Sequence, residues 1–411
     1  MLKRKLFQIN DSTISKKVKS PWTKKEGELL IGNFRNSESE VVTKTKIAAF
    51  DLDHTLTKTK GKHVFHKNAD DWEFLYSNVP FKLKKLVEEG HEIVLFSNQT
   101  GLEKDGKETS KMKVFKDKVE KVAMALGVDF VIFASLGYGK YRKPLPGMFY
   151  EYQELFYNNP EPVDTTNSFF VGDAAGRSYG EIKGKAKKDF SDTDLKFALN
   201  LNMCFKTPEQ FFLNKNFGKD TIVKEIFDFD PKQLVLDEKP LFLPSNTPLF
   251  SDQDILELVI FTGFPGSGKS NFFKKYFESR GYFHCNQDEL KSKSKCLQEC
   301  KRVLSLKQSC VVDNTNPEES TRKQYISIAK VLDIPVRCFY FNSSMELSQH
   351  NNIFRSINLN TPRVPTMVYH VFKNKFKEPT LDEGYQEIKV INFLPEFEND
   401  DLKKNWLLYH L

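Results

Sequence analysis

Two short patterns in this 411-residue chain have the residue types and spacing to do chemistry on phosphate. Asp51-Leu52-Asp53-His54-Thr55 follows one apolar run, and Gly263-Phe264-Pro265-Gly266-Ser267-Gly268-Lys269-Ser270 follows another. In the first, two carboxylates at a strand end allow one to attack phosphorus while the other protonates the leaving oxygen. Asp51 is the expected nucleophile, forming an aspartyl-phosphate, and Asp53 the expected general acid. In the second, backbone N–H groups and a helix N-terminus cradle the phosphates of a nucleotide. The first pattern removes phosphoryl groups and the second transfers them.

A surface Asp-x-Asp turn would share the first spacing, so the neighbouring strand ends matter. Phe96-Ser97-Asn98-Gln99 offers Ser97 and Asn98 to phosphoryl oxygens, as does Thr55 within the pattern itself. Arg142-Lys143-Pro144 supplies the Lys143 ammonium, and Val171-Gly172-Asp173 ends a further strand with a carboxylate. A hard cation beside a dianionic phosphate calls for oxygen ligands, and Mg²⁺ is expected at Asp51, Asp53 and Asp173. Asp189 to Asp194 adds carboxylates that either support this site or form a charged loop.

Around the second pattern, Gly263, Gly266, Ser267, Gly268 and Lys269 are expected to hold ATP phosphates, with Ser270 on Mg²⁺. Asp313, in Val311-Val312-Asp313-Asn314-Thr315-Asn316-Pro317, falls at a strand end suited to the metal or its waters. Asp288, in Asn286-Gln287-Asp288, reads either as the base for an attacking hydroxyl or as a helix N-cap. Arg355, after His350-Asn351-Asn352, is placed to neutralise charge on the γ-phosphoryl group.

The elements that position these residues alternate in α/β fashion. Ile47 to Phe50, Glu92 to Phe96, Phe130 to Ala134 and Ser168 to Val171 are short apolar runs of the kind buried on both faces of a parallel sheet. Val79 to Glu89 and Lys113 to Leu126 have helical periodicity and end at Gly90 and Gly127. A second series follows, with Leu256 to Thr262, Cys310 to Val312 and Val336 to Phe341 as strands. The expected layout is a disordered basic tail over 1–45, a phosphatase domain over 46–213, a proline-rich connector over 214–254 and a kinase domain over 255–411.

The formal charge of +7 does not describe the domains, because eight Lys and Arg within residues 1–25 against Asp11 alone account for it. Lys3-Arg4-Lys5 and Lys16-Lys17-Val18-Lys19 fit a bipartite nuclear-import signal, or a solvated tail with no receptor. No run approaches the roughly 18 apolar residues of a membrane span, and the start lacks the apolar core of a secretory signal. The six cysteines lack CxxC spacing and read as reduced thiols. A zinc site at Cys296, Cys300 and His284 is the competing reading; one helix face is the simpler one.

The first motif set resembles the haloacid dehalogenase (HAD) superfamily of phosphohydrolases, over residues 46 to about 212. That resemblance implies Asp51 as nucleophile, Asp53 as acid, Ser97 and Lys143 as phosphate holders and Asp173 as metal ligand. His54 stands where close relatives have Gly. The order of the two motif sets, with Gly-Phe-Pro-Gly-Ser-Gly-Lys-Ser, Asp-Asn-Thr-Asn-Pro and His-Asn-Asn, is similar to the eukaryotic polynucleotide kinase 3′-phosphatase family. The resemblance implies a HAD-like Rossmannoid phosphatase followed by a P-loop kinase. It also implies removal of 3′-phosphates from DNA ends, ATP-dependent phosphorylation of 5′-hydroxyls, and Asp288 as the kinase base.

Gln287 and Ile353 replace arginines common in that family, and Arg355, Arg363 or Arg322 are the residues that would compensate. The tail expected over 1–45 leaves no room for the phosphopeptide-reading domain of many animal relatives, so any repair ligase or scaffold would be met through another surface. A monomer, acting in the nucleus on DNA ends, is the expectation. RNA ends, a small phosphorylated metabolite, and a scaffold with vestigial sites are the competing readings. Trp72, Tyr141 and Phe149 are candidates for stacking on unpaired bases, or for packing.

Overall fold

In the computed structural model, residues 20–35, 46–61, 63, 66–104, 106–157, 163–177, 189–215, 229–250 and 255–411 are described. They form two compact units. The first takes its residues from the chain up to Arg142, Gly147–Asp173 and Met203–Asn214; the second from Lys143–Pro146, Ala174–Asn202 and the chain beyond Lys215.

The first unit is built on a sheet that is seven-stranded among the described residues. Its strands are β1 (Trp22–Lys25), β2 (Leu29–Asn33), β3 (Ile47–Phe50), β4 (Glu92–Asn98), β5 (Phe130–Ser135), β6 (Phe169–Val171) and β7 (Cys204–Lys206). The order across the sheet is β1-β2-β5-β4-β3-β6-β7. From β5 to β7 the pairing is parallel, with Ala49 opposite Val94 and Phe170. Every residue of β3, β5 and β6 is buried, as both-face coverage by helices requires. Helices α1 (Val79–Glu88) and α2 (Ser110–Leu126) close one face, and Gly127 ends α2 in the left-handed conformation at φ 62°.

The structure corrects the expected tail. Residues 22–33 form a hairpin that joins the sheet, with β2 antiparallel to β5 and Leu29, Leu30 and Ile31 buried. The turn is made by Glu26 and Gly27, both at positive φ, the geometry that suits a twisted hairpin. Gly32 is needed because a Cβ there would meet Trp22, Phe34 and Ile132 at 2.7–2.9 Å. The basic clusters Lys3 to Lys5 and Lys16 to Lys19 lie outside the described residues.

The second unit carries a six-stranded sheet, again among the described residues. It comprises β8 (Phe242–Leu243), β9 (Leu258–Thr262), β10 (Phe283–Cys285), β11 (Cys310–Val312), β12 (Val336–Phe341) and β13 (Glu387–Ile391), in the order β8-β13-β12-β9-β11-β10. All pair in parallel except β8. Its helices include α3 (Thr193–Asn200), α4 (Lys269–Tyr276), α5 (Gln287–Leu290), α6 (Lys293–Ser305), α7 (Met345–Asn358), α8 (Thr366–Lys375) and α9 (Asp400–Trp406).

Two boundaries therefore differ from expectation. Part of the connector is sheet: Phe242 and Leu243 pair with Ile391 and Val390, and Arg337 donates to the Leu249 carbonyl at 2.9 Å. The segment Ala174–Asn202 groups with the second unit, where Asn200 exchanges hydrogen bonds of 3.0 and 2.8 Å with the backbone of Tyr409. Cys285, Cys296, Cys300, Cys310 and Cys338 are free, fully buried thiols of one hydrophobic cluster, which supports packing over zinc. Tyr141 and Phe149 are buried as well, and Trp72 packs edge-on against Phe74.

Candidate active sites for phosphate chemistry

Parallel strands end together at one edge of the sheet, so motifs far apart in sequence converge there. Asp51 follows β3 directly and its N–H donates to the Val171 carbonyl at 2.9 Å, fixing it beside the end of β6. Asp173, two residues past β6, accepts from the Thr55 hydroxyl at 3.3 Å. Asp51 and Asp173 each present a carboxylate oxygen within 4.8 Å of the other, a donor pair that fits a hard divalent cation.

The Asp53 side chain has a different environment. Its Oδ1 accepts from Lys118 Nζ at 2.5 Å and lies 3.0 Å from His66 Nε2; its Oδ2 accepts from Gln99 Nε2 at 2.8 Å. Burial alone would raise the Asp53 carboxyl, but the Lys118 ammonium and the His66 contact together outweigh it and hold the group well below the ordinary carboxylate range. Gln99 Nε2 also donates to Ser97 Oγ at 2.9 Å, joining the acid to a phosphate-holding candidate on β4. Ser97 is buried and Asn98 half-buried at that strand end.

His54 adopts φ 60°, and its N–H donates to the Thr57 carbonyl at 2.6 Å. A left-handed residue here explains why Gly suits the position; His54 accepts the strain while its side chain is exposed. Within the second unit, Lys143 and Asp194 form a buried ion pair at 2.7 Å, and Asp194 also accepts from the Ala174 N–H at 3.1 Å. Asp189 holds Arg177 through contacts of 2.6 and 3.1 Å. The carboxylates of 189–194 thus support neighbouring cations rather than forming a solvated loop.

The phosphate loop runs from β9 into α4. Gly263, Gly266 and Gly268 all have positive φ, and a Cβ on Gly266 would meet the Ser348 carbonyl at 2.5 Å. Lys269 Nζ donates to Gly263 O at 3.0 Å, Phe264 O at 2.5 Å and Ser267 Oγ at 3.2 Å. Burial lowers its pKa to about 8; Asp313 opposes that shift and the Arg355 charge adds to it, which puts Arg355 within electrostatic reach of the loop. Asn351 explains much of the His-Asn-Asn motif. It donates to Gly266 O at 3.0 Å while accepting from Trp406 Nε1 at 2.9 Å, so it buttresses the loop from behind.

Asp313, just after β11, accepts from Ser270 Oγ at 2.6 Å, His284 Nε2 at 2.9 Å and Asn286 Nδ2 at 3.1 Å, all on Oδ2. Its Oδ1 is buried without a hydrogen-bond partner. An orphaned carboxylate oxygen beside a P-loop serine fits a Mg²⁺ ion or its water shell. The cap of α5 is Asn286, whose side chain accepts from the Asp288 N–H at 2.8 Å; the Asp288 carboxylate is exposed and does not serve as that cap. Arg322 is excluded as a compensating contact, since it is fully buried and bonded to Glu383 and to the Asn316 and Pro317 carbonyls.

Residues 46–212 match the family model described as polynucleotide kinase 3 phosphatase, and 293–379 match an AAA domain model. A bifunctional polynucleotide phosphatase/kinase from Schizosaccharomyces pombe is 36% identical over 88% of this chain and 83% of its own length. The chain belongs to the bifunctional polynucleotide phosphatase/kinase family. A putative member from Acanthamoeba polyphaga mimivirus is 32% identical over 90% of this chain and 89% of its own. A polynucleotide 3′-phosphatase from Saccharomyces cerevisiae matches 40% of this chain at 31% identity.

As a member of this family the chain is α/β throughout, a HAD-like phosphatase followed by a P-loop kinase that use Mg²⁺ and ATP. Ile353 is buried in α7, and Gln287 is exposed, its N–H bonded to Asn314 Oδ1 at 2.9 Å. Sequence reasoning missed Lys118, His66, Gln99, His284 and Asn286 as site residues. Lys118 alone left a signal, a charged residue in register with Phe115, Val119 and Val122 on the apolar stripe of α2.

Proposed function

We propose that this chain heals broken DNA ends, stripping the 3′-phosphate and phosphorylating the 5′-hydroxyl with ATP so that a ligase can seal them. The observation that carries the reading is the presence, on one chain, of an aspartate pair at a HAD strand end and a complete P-loop beside a carboxylate, in the order the family uses. In the phosphatase half, an Asp51 oxygen attacks phosphorus as the P–O3′ bond breaks, and Asp53, ionised before substrate enters, takes the proton carried by the phosphate monoester monoanion and gives it to O3′. Water then attacks the aspartyl-phosphate, Asp53 takes its proton, and phosphate leaves. Ser97, Asn98, Thr55 and Lys143 hold the phosphoryl oxygens. Bound at Asp51 and Asp173, Mg²⁺ would supply the charge that lets a carboxylate approach a dianion.

In the kinase half, Gly263 to Lys269 hold the ATP phosphates, Ser270 and Asp313 would hold Mg²⁺ or its waters, and Asp288 takes the proton as the 5′-oxygen attacks the γ-phosphorus. Arg355 neutralises the charge on the transferring group. We also place the protein in the nucleus, as a monomer working with a repair ligase or scaffold. No helix among the described residues is long and apolar enough to cross a membrane.

The test is a nicked DNA duplex with a 3′-phosphate and a 5′-hydroxyl, incubated with Mg²⁺ with or without ATP. Loss of the 3′-phosphate in both arms, with 5′ phosphorylation in the ATP arm only, is expected. If neither end changes while matched RNA ends do, the substrate is RNA.

A further inference from the structure

Lys118 is 1% exposed in the middle of α2, a charge set among core residues, and such a group persists only with partners. Its Nζ lies 2.5 Å from Asp53 Oδ1 and 2.6 Å from His66 Nε2. An ammonium has donors only, so His66 Nε2 accepts from it. The ring proton is then on Nδ1, which stands 2.6 Å from the Asp71 carbonyl and donates to it. Asp71 Oδ2 in turn accepts from the Lys67 N–H at 3.0 Å, closing the loop that carries His66. His66 is therefore the seat of Lys118, and its Nε2 also stands 3.0 Å from Asp53 Oδ1.

We propose that Lys118, seated on His66, is a positioning residue for the phosphatase step: it grips Asp53 Oδ1 and leaves Oδ2 as the oxygen that takes up the proton brought by the phosphate monoester and gives it to the leaving 3′-oxygen. Oδ2 lies on the side of Gln99 and Ser97, to which Gln99 ties it. The inference rests on the reading of Asp53 as general acid. Its consequence is selectivity for the leaving group. A deoxyribose 3′-alkoxide needs a proton to depart, whereas p-nitrophenolate departs without one.

The experiment measures KM and the single-turnover rate of leaving-group release, which precedes the hydrolysis common to both substrates, for a 3′-phosphorylated oligonucleotide and for p-nitrophenyl phosphate, in wild type, Lys118→Met, Lys118→Arg and Asp53→Asn. Lys118→Met should lower the release rate on the oligonucleotide about 100-fold with little change in KM, and spare most of the p-nitrophenolate release. Lys118→Arg should recover part of the loss. Equal losses on both substrates, or none on either, would overturn the assignment of Lys118. If Asp53→Asn itself fails to discriminate between them, the role of Asp53 falls instead. Should circular dichroism show Lys118→Met unfolded, His66→Leu, which removes the acceptor for Lys118 and the donor to the Asp71 carbonyl, takes its place: a loss confined to the oligonucleotide supports the assignment, and equal losses or none overturn it.

Discussion

The Ser270 hydroxyl donates to Asp313 Oδ2 across 2.6 Å, joining the start of the P-loop helix to the end of the neighbouring strand. Because the other Asp313 oxygen is buried and unpartnered, the pair is set for a cation. Asp313→Asn keeps the shape and removes the charge. It should raise the Mg²⁺ concentration for half-maximal 5′ phosphorylation about 10- to 100-fold and leave 3′-phosphate removal untouched. A magnesium titration that superimposes on wild type would remove Asp313 from the metal site.

The two chemistries should separate cleanly. Asp51→Ala is expected to abolish 3′-phosphate removal and spare 5′ phosphorylation, while Lys269→Ala should lower the kinase at least about 100-fold and spare the phosphatase. Both activities are read on one labelled duplex. A folded variant that lost both would contradict two independent sites.

His54 occupies a left-handed conformation that glycine adopts without penalty. His54→Gly should leave 3′-phosphatase turnover unchanged and raise stability by up to about 1 kcal/mol, part of the strain relief being offset by the greater entropy of the unfolded chain. Chemical denaturation with parallel kinetics checks both. A large loss of turnover would show that the imidazole itself acts at the entrance.

Acid should weaken the second unit through His410. Burial lowers this imidazole from 6.5 to about 4, with the hydrogen bond to Asn405 O opposing the shift and the charge of Arg363 adding to it. A depressed folded pKa means the stability is fully present above 6.5 and is lost as pH falls toward 4, amounting to roughly 3 kcal/mol. Thermal melts between pH 7 and 4 should show His410→Gln losing less than wild type. Parallel losses would assign the acid sensitivity elsewhere.

What could be read from the chain follows from what burial does to sequence. Strands covered on both faces must be apolar runs, so β3, β4, β5 and β6 stood out, and with them the positions of Asp51, Ser97 and Asp173 at their ends. The P-loop was legible because its glycines answer a backbone requirement. Lys118 and His66 were not, since a lysine in a helix and a histidine in a loop normally face water, and only tertiary contact brings them to Asp53. The β1–β2 hairpin was hidden by its lysines, which leave just Leu29-Leu30-Ile31 to mark an edge. Similarly, β8 is two residues long and owes its strand conformation to β13, not to its own composition.

That hairpin also bears on how the phosphatase can be isolated. With β2 in place, the backbone of β5 is paired along Val131 to Ser135, and Trp22 seals the corner against Phe34, Phe115 and the Glu120 carboxylate. A protein trimmed to Lys46, where the family match begins, would carry that strand as a bare, largely apolar rim. Bare rims of this kind template pairing with other chains. The β1–β2 hairpin thus covers that rim, and expression of the phosphatase alone should start before Trp22.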